Sequence, residues 1–385
     1  MADSSKPSAI PLLRPQLPDT EALIPYLRRI DETRIYSNLG PLTIEFERRM
    51  CSVLELPPGG FVAAASGTAA LVAAILAVAG RAGSDRPFAL IPAFTFVATA
   101  AAVEQCGYIP YLADIDETSW ALDPRRLAEH SMLEHFGVVV PVAPFGRPQQ
   151  QEAWRAFRDQ TSVPVVFDGA ATFDTCPGAQ FLGELPVAMS FNATKSFATA
   201  EGGAVVTSDM HLTARVRRAL NFGFFLSRRS RSPSINGKMS EYHAAVGLAE
   251  LDGWPQKRSA LRDVADRYRK YAAELGIADG LVARPEISST YVLFVTHDAG
   301  QAADLESALR DEAIEWRRWY GLGLHREPYF SELRRERLDA TDRVAPTVLG
   351  MPVAPDLSEA AIRRVVMGIA QVVGERPSLK MGGWC

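Results

Sequence analysis

The sequence predicts an α/β fold: a large domain with a mostly parallel central sheet, followed by a smaller C-terminal α/β domain. Three observations carry this expectation. Short apolar runs alternate with helical patterns from about residue 60 to 210, the rhythm of βα units. Several of those runs lack polar alternation, as strands covered on both faces by helices do. Beyond residue 255 the texture changes to an arginine-rich helical pattern with new apolar runs behind it.

Composition agrees with a folded chain. Its 385 residues exceed one typical domain, and 47% hydrophobic with 22% charged residues is globular usage. With 41 basic and 45 acidic side chains the net charge is -4, so no chain-wide positive field exists to hold nucleic acid or an anionic membrane. Cys51, Cys106, Cys176 and Cys385 form no CxxC pair, and the six histidines never fall at metal-ligand spacing. Structural zinc and a disulfide framework are therefore not expected. The start, MADSSKPSAIPLLRP, carries Asp3 and no long apolar core, which reads as a cytoplasmic protein rather than a secreted one. Phe61 to Gly80 is as apolar as a membrane span, but Ser66-Gly67-Thr68 cuts it and alanines dominate, which favours a buried helix.

In order along the chain, strands are expected at Phe88 to Ile91, Ile109 to Leu112, Val138 to Val142, Val163 to Phe167, Val187 to Phe191 and Ala204 to Thr207. Crossover helices are expected at Ala69 to Ala79, Thr95 to Gln105 and Gln149 to Arg158. FLSRRSRSPSINGK, residues 225–238, is rich in Ser, Arg, Pro and Gly and reads as an exposed loop. Ser240 could cap a helix with Ala244, Ala245, Leu248 and Leu251 on one face, ending at Trp254-Pro255. After it come a separate helix from Gln256 to Glu274, a strand at Tyr291 to Val295, and helices at Ala302 to Glu312 and Ser358 to Val373. The expected division is thus 1–254 for the N-terminal segment and large domain, and 255–385 for the small domain.

Lys195 is the first candidate for chemistry. Only six of the basic residues are lysine, and between Lys6 and Lys238 this one stands alone, in SFNATKSFATAEGGAVV. A lysine after an apolar run, among small residues, suits a Schiff base, because burial leaves the amine neutral and nucleophilic. A solvated turn lysine is the competing reading. Asp168 ends VPVVFD, at the carboxyl edge of a parallel sheet where such sheets bind ligands. A carboxylate there can keep a pyridine nitrogen protonated and so strengthen pyridoxal phosphate as an electron sink; a helix N-cap ahead of Gly169-Ala170-Ala171 is the alternative. In AAASGTAALVAAILA the helix start after Gly67 offers free N–H groups, with Ser66 and Thr68 hydroxyls beside them, for a phosphate. An ordinary cap fits equally well. Neither G-x-G-x-x-G nor the P-loop pattern occurs. Phe94 and Phe96, just after a strand, could each stack on a planar cofactor or pack in the core.

The ordered series YSNLGPLTIEFERRM, ASGTAAL, IPAFTFVATAAAV, YLADIDETSWALDP, VVPVAPFGRP, the aspartate strand, SFNATKSFATAEGGAVVTSD, NGKMSEYHAAVGLAEL and GMPVAPDLSE resembles, over nearly the whole length, the DegT/DnrJ/StrS group of nucleotide-sugar aminotransferases, pyridoxal phosphate enzymes of fold type I. The resemblance implies that Lys195 forms the Schiff base with pyridoxal 5′-phosphate and Asp168 partners its pyridine nitrogen. It also implies that Phe96 stacks on the ring and that Gly67, Thr68 and Ser190 contact the phosphate. Asn236 would reach the phosphate of a neighbouring subunit, making a homodimer with shared active sites. Asn38, Tyr320 and His325 match segments lining the sugar-nucleotide pocket. Arg228, Arg229 and Arg231 make the 225–238 loop positive, suited to a substrate diphosphate.

Two departures stand out. Where relatives commonly place glutamine or histidine on the cofactor's phenolic oxygen, three residues after the aspartate, this chain has Ala171; where many have histidine in SFHxxK, it has Asn192. Thr172 or Asn192 is expected to compensate. The implied activity is amination of a keto group on a nucleotide-linked 6-deoxyhexose with glutamate as donor, in polysaccharide, O-antigen or antibiotic sugar synthesis. A sugar dehydratase of the same family is the alternative, although its members replace the lysine by histidine and Lys195 is present. A non-catalytic binding paralogue is another, suggested by Ala171 and opposed by the retained Lys195 and Asp168.

Overall fold

The computed structural model describes residues 8–175 and 181–374; Cys176 and Cys385 lie outside the described residues. Two helices open the chain, α1 (Thr20–Thr33) and α2 (Pro41–Val53), followed by β1 (Phe61–Ala64), α3 (Gly67–Val78), β2 (Phe88–Pro92), α4 (Val97–Gln105) and β3 (Ile109–Ala113). Then come α5 (Pro124–Leu127), β4 (Phe136–Val139), α6 (Gln151–Thr161), β5 (Phe167–Asp168), β6 (Val187–Ser190), β7 (Gly203–Val206) and α7 (Met210–Leu220). The remainder holds α8 (Glu241–Glu274), β8 (Leu281–Val282), β9 (Val292–Val295), α9 (Ala299–Asp311), α10 (Asp339–Val344), β10 (Val348–Met351) and α11 (Glu359–Val373).

The large sheet has one ladder ordered β1-β7-β6-β5 and another ordered β3-β2-β4. Parallel bridges Val139↔Val165 and Val142↔Asp168 join them into one surface. Pro141 and Pro164 sit at this seam, and a residue without an N–H cannot extend a ladder, which is why β4 and β5 are shorter than their apolar runs. Only β7 runs against its neighbours, since it is antiparallel to both β1 and β6. The carboxyl ends of β1, β2, β5 and β6 therefore share one edge.

Three differences from expectation shape the scaffold of the site. The stretch from Phe61 is a fully buried strand, β1, before it is a helix. Four residues suffice to cross this part of the sheet, and Ser66 then starts α3 by accepting the Ala69 N–H at 3.1 Å. Every residue of α3 from Ala70 to Ala77 is buried, because the helix lies between the sheet and helices α4 and α7. The N-terminal α1 and α2 were not anticipated. Glu241, wholly buried, supplies the cap that Gly40 cannot: its carboxylate accepts the Leu42 and Thr43 N–H groups of α2 at 2.7 and 2.9 Å. Each N–H left unpaired there would cost about 1–3 kcal/mol.

The third difference is α8, one continuous helix where the sequence suggests two, with Pro255 inside it. The proline forfeits one backbone bond, but packing on either side outweighs that: Leu248, Leu251 and Trp254 join the core of the large sheet, while Leu261, Val264 and Tyr268 join the core around the antiparallel sheet β10-β9-β8. The same second core takes up the N-terminal strap, where Ile10 bridges Ile314 and Leu13 bridges Val353. Among the described residues no helix is long and apolar enough to cross a membrane.

Candidate active site

At the shared carboxyl edge a cavity of about 340 Å³ opens. Ser66, Gly67 and Thr68 lie on its wall after β1, Thr95 and Phe96 after β2, Asp168, Ala170 and Ala171 at and after the end of β5, Ser190, Asn192, Thr194 and Lys195 at and after the end of β6, and Tyr291, Trp319 and Tyr320 come from beyond α8. The geometry removes the helix-cap reading of Asp168 and puts Lys195 on the cavity wall. No helix follows Asp168; its Oδ1 accepts the Ala170 N–H at 3.1 Å in a local turn, and Oδ2 accepts the Thr99 hydroxyl at 2.7 Å. Burial pushes this carboxyl above its usual range, opposed by the Thr99 and Ala170 hydrogen bonds and by the charge of Lys195.

Lys195 lies on the turn between β6 and β7, and its Nζ donates to the Tyr291 hydroxyl at 3.3 Å. Neighbouring side chains brace that turn. Asn192 Nδ2 donates to Glu201 at 2.6 Å, while its Oδ1 accepts the N–H and hydroxyl of Thr194. Asp174 accepts the Ser196 hydroxyl at 3.0 Å, the Ser288 hydroxyl at 2.8 Å and the Ser289 N–H at 2.8 Å, so it ties the lysine turn to the segment leading into Tyr291.

The two phenylalanines separate cleanly. Phe94 is 2% exposed and packs against Trp120, Phe145 and Tyr320, whereas Phe96 is 56% exposed on the cavity wall. Tyr320 stacks on Phe145 with centroids 4.5 Å apart and accepts the Phe145 N–H at 3.0 Å. Burial first, and then the nearby Tyr291, raises its hydroxyl well above the usual tyrosine range, so it stays protonated.

Other residues singled out in the sequence lie elsewhere. His325 is buried with Nε2 2.9 Å from Asp342 and is not on the cavity wall. Asn38 is exposed, in a left-handed turn conformation with φ 66°, its side chain donating to Ser37. Arg228, Arg229 and Arg231 are exposed in the expected loop. Asn236 is exposed too, pairs with Asn221 through the backbone and accepts Lys238 Nζ at 2.6 Å, and is not among the residues of the cavity wall. Sequence reasoning missed Thr99, Asp174, Tyr291 and Trp319; of these only Thr99 had a local signal, its position on the helix that begins at the aromatic loop.

The family model for DegT/DnrJ/EryC1/StrS aminotransferases matches residues 18–370. Protein Rv3402c of Mycobacterium tuberculosis is 32% identical over 386 aligned residues, covering 95% of this chain and 91% of its own. The dTDP-4-amino-4,6-dideoxy-D-glucose transaminase of Shigella dysenteriae is 28% identical over 367 residues, covering 93% and 98%. A solved Bacillus cereus aminotransferase described as PLP-dependent superposes with a TM-score of 0.87 at 26% identity, covering 94% of this chain and 100% of its own.

The residues present fit pyridoxal 5′-phosphate. Gly67 leaves open the space beside Ser190, where a Cβ would come within 2.6 Å of the serine Cβ, and the start of α3 turns its first N–H groups toward that space. Lys195 offers an amine, Asp168 a buried carboxylate and Phe96 an exposed ring on the same wall. Fold, cavity and relatives converge, and the chain belongs to the DegT/DnrJ/EryC1/StrS aminotransferase family, as a pyridoxal 5′-phosphate enzyme.

Proposed function

We propose that this enzyme transfers an amino group from glutamate to the keto group of a nucleotide-linked 6-deoxyhexose. The observation that carries the reading is the cavity in which Lys195 and Asp168 face a wall of Phe96, Tyr291, Trp319 and Tyr320, in a chain related to a dTDP-sugar transaminase. Such a wall suits a sugar carbon that bears a methyl group in place of a hydroxyl. The reading places the enzyme in the cytoplasm, beside the nucleotide-sugar pool that serves polysaccharide, O-antigen or antibiotic synthesis.

Bound pyridoxal phosphate supplies an aldehyde that takes up the amine and a conjugated ring that spreads an electron pair. This chain's residues do the rest. Lys195 would hold the cofactor through Nζ and, with its amine free, would carry a proton between the amino-bearing carbon of the substrate and C4′ of the cofactor. Asp168 would accept a hydrogen bond from the protonated ring nitrogen, whose positive charge would offset the burial that otherwise penalises its carboxylate. The N–H groups of Gly67 and Thr68 and the hydroxyls of Thr68 and Ser190 hold the phosphate. Phe96 covers one face of the ring.

Glutamate and a panel of keto-hexose nucleotides, followed by mass spectrometry, test the proposal. Equal amounts of 2-oxoglutarate and an amino-sugar nucleotide are expected. Formation of 2-oxoglutarate with no aminated sugar from any panel member would sink it.

The active form in this reading is a homodimer with shared sites. Asn236 is exposed and does not line the cavity of its own chain, and the loop before it exposes Leu226 at 94%, an apolar surface suited to a second copy. Arg228, Arg229 and Arg231 would then meet the substrate diphosphate across the interface. Mixing Lys195→Ala protein with Asn236→Ala protein places both lesions in one site of the heterodimer and neither in the other. Activity regained on mixing is the expected result; no gain would show that each subunit completes its own site.

A further inference from the structure

The wall of the cofactor pocket has an apolar gap at Ala171, and neither neighbour expected to compensate can do so. Thr172 is fully buried and its hydroxyl donates to the Gly169 carbonyl at 2.8 Å. Both ends of the Asn192 amide are engaged by Glu201 and Thr194. A different hydroxyl arrives from 96 residues away in sequence. The Tyr291 oxygen accepts from Lys195 Nζ at 3.3 Å, and a hydroxyl that accepts there still has its own O–H proton to give.

That ring is held firmly. It packs edge-on against Phe145 and Trp319, with centroids 5.4 and 5.3 Å away. The Tyr291 N–H bonds the Ser288 carbonyl at 2.9 Å, and Ser288 and Ser289 are fastened through Asp174 to Ser196, next to Lys195. In pyridoxal phosphate the phenolic oxygen sits on the ring carbon adjacent to the one bearing the aldehyde. A donor within hydrogen-bond distance of Nζ is therefore within reach of that oxygen when Lys195 holds the aldehyde carbon.

We propose that Tyr291 donates the hydrogen bond to the cofactor's phenolic oxygen that residue 171 cannot, and so sets the acidity of the nitrogen joining Lys195 to the cofactor. This rests on the reading that Lys195 holds pyridoxal phosphate. The phenolate oxygen stabilises a proton on the linking nitrogen; a donor that claims part of the same charge releases that proton at lower pH. The other titratable and charged groups around the ring are Asp168, Tyr320 and Glu201 on the cavity wall, Asp174 behind the serines, and Arg317 stacked on Trp319 at 5.3 Å. None of them takes the tyrosine hydroxyl.

The test is the absorbance of the purified holoenzyme against pH, for wild type and Tyr291→Phe, together with the melting temperature of each cofactor-free protein. The phenylalanine keeps the ring packing. The midpoint of the visible-band transition is expected to rise by about one pH unit, a tenfold change in the proton equilibrium, with the melting temperature unchanged. An unmoved midpoint, or a shift that comes with a lowered melting temperature, would overturn the assignment. Absence of any visible band in the wild-type protein would instead count against Lys195 as the cofactor's anchor.

Discussion

Lys195→Ala is expected to lower turnover by at least about 10⁴-fold, because it removes both the amine that anchors the cofactor and the group that carries the proton. The cofactor linkage reducible by borohydride should vanish with it. The fold should suffer little, since the half-buried Lys195 side chain makes a single hydrogen bond among the described residues, to Tyr291, and the backbone N–H bond to the Asn192 carbonyl is untouched by the change. Peptide mapping of the reduced wild-type protein provides the check. A label on any of the other lysines would refute the assignment.

Asp168→Asn is expected to act in opposite directions on rate and on stability. Turnover should fall by about 10²–10³-fold, the usual cost of deleting one preorganised electrostatic partner, because an amide cannot balance a charged ring nitrogen. The cofactor-free variant should nevertheless be more stable than wild type at neutral pH. Burial raises the folded-state value of the Asp168 carboxyl above its ordinary one, so folding favours the protonated form. That contribution is present in acid and is lost as pH rises through the interval between the unfolded value and the raised one. Asparagine carries no charge and escapes the loss. Its amide can still be satisfied: Oδ1 accepts from Ala170 and Nδ2 donates to Thr99, whose hydroxyl can turn toward Thr95 at 2.9 Å. Melting temperatures across pH should show a gap that opens above the acid range and closes within it. Near-wild-type turnover would mean that Asp168 only shapes its turn.

Much of the scaffold was readable because its signals are local. Uniform apolar runs bounded by turn residues marked β2, β3 and β6, and Ser240 announced the start of α8. The failures were also local. Ser66-Gly67-Thr68 marked the start of α3, but the apolar run before it hid β1, since periodicity cannot tell so short a buried strand from a stretch of buried helix. A proline that normally ends a helix did not end α8, because the cores on either side of it hold the helix together. The two opening helices depend on contacts with α8, including the Glu241 carboxylate nearly 200 residues away, and that cap has no counterpart in their own sequence.

By itself the sequence determined which chemical groups this protein carries and the order in which strand ends present them: a helix start of small residues around Gly67, an aromatic loop, an aspartate and an isolated lysine. A parallel sheet brings successive strand ends to one edge, so order along the chain became proximity in space. Only the tertiary structure buried Phe94 and left Phe96, which the resemblance had singled out, on the cavity wall, put His325 against Asp342 and off that wall, and set Tyr291 beside Lys195. Those outcomes depend on how two separately packed cores meet. The position of one core against the other is a sum over many long-range contacts, and no local pattern of residues encodes it.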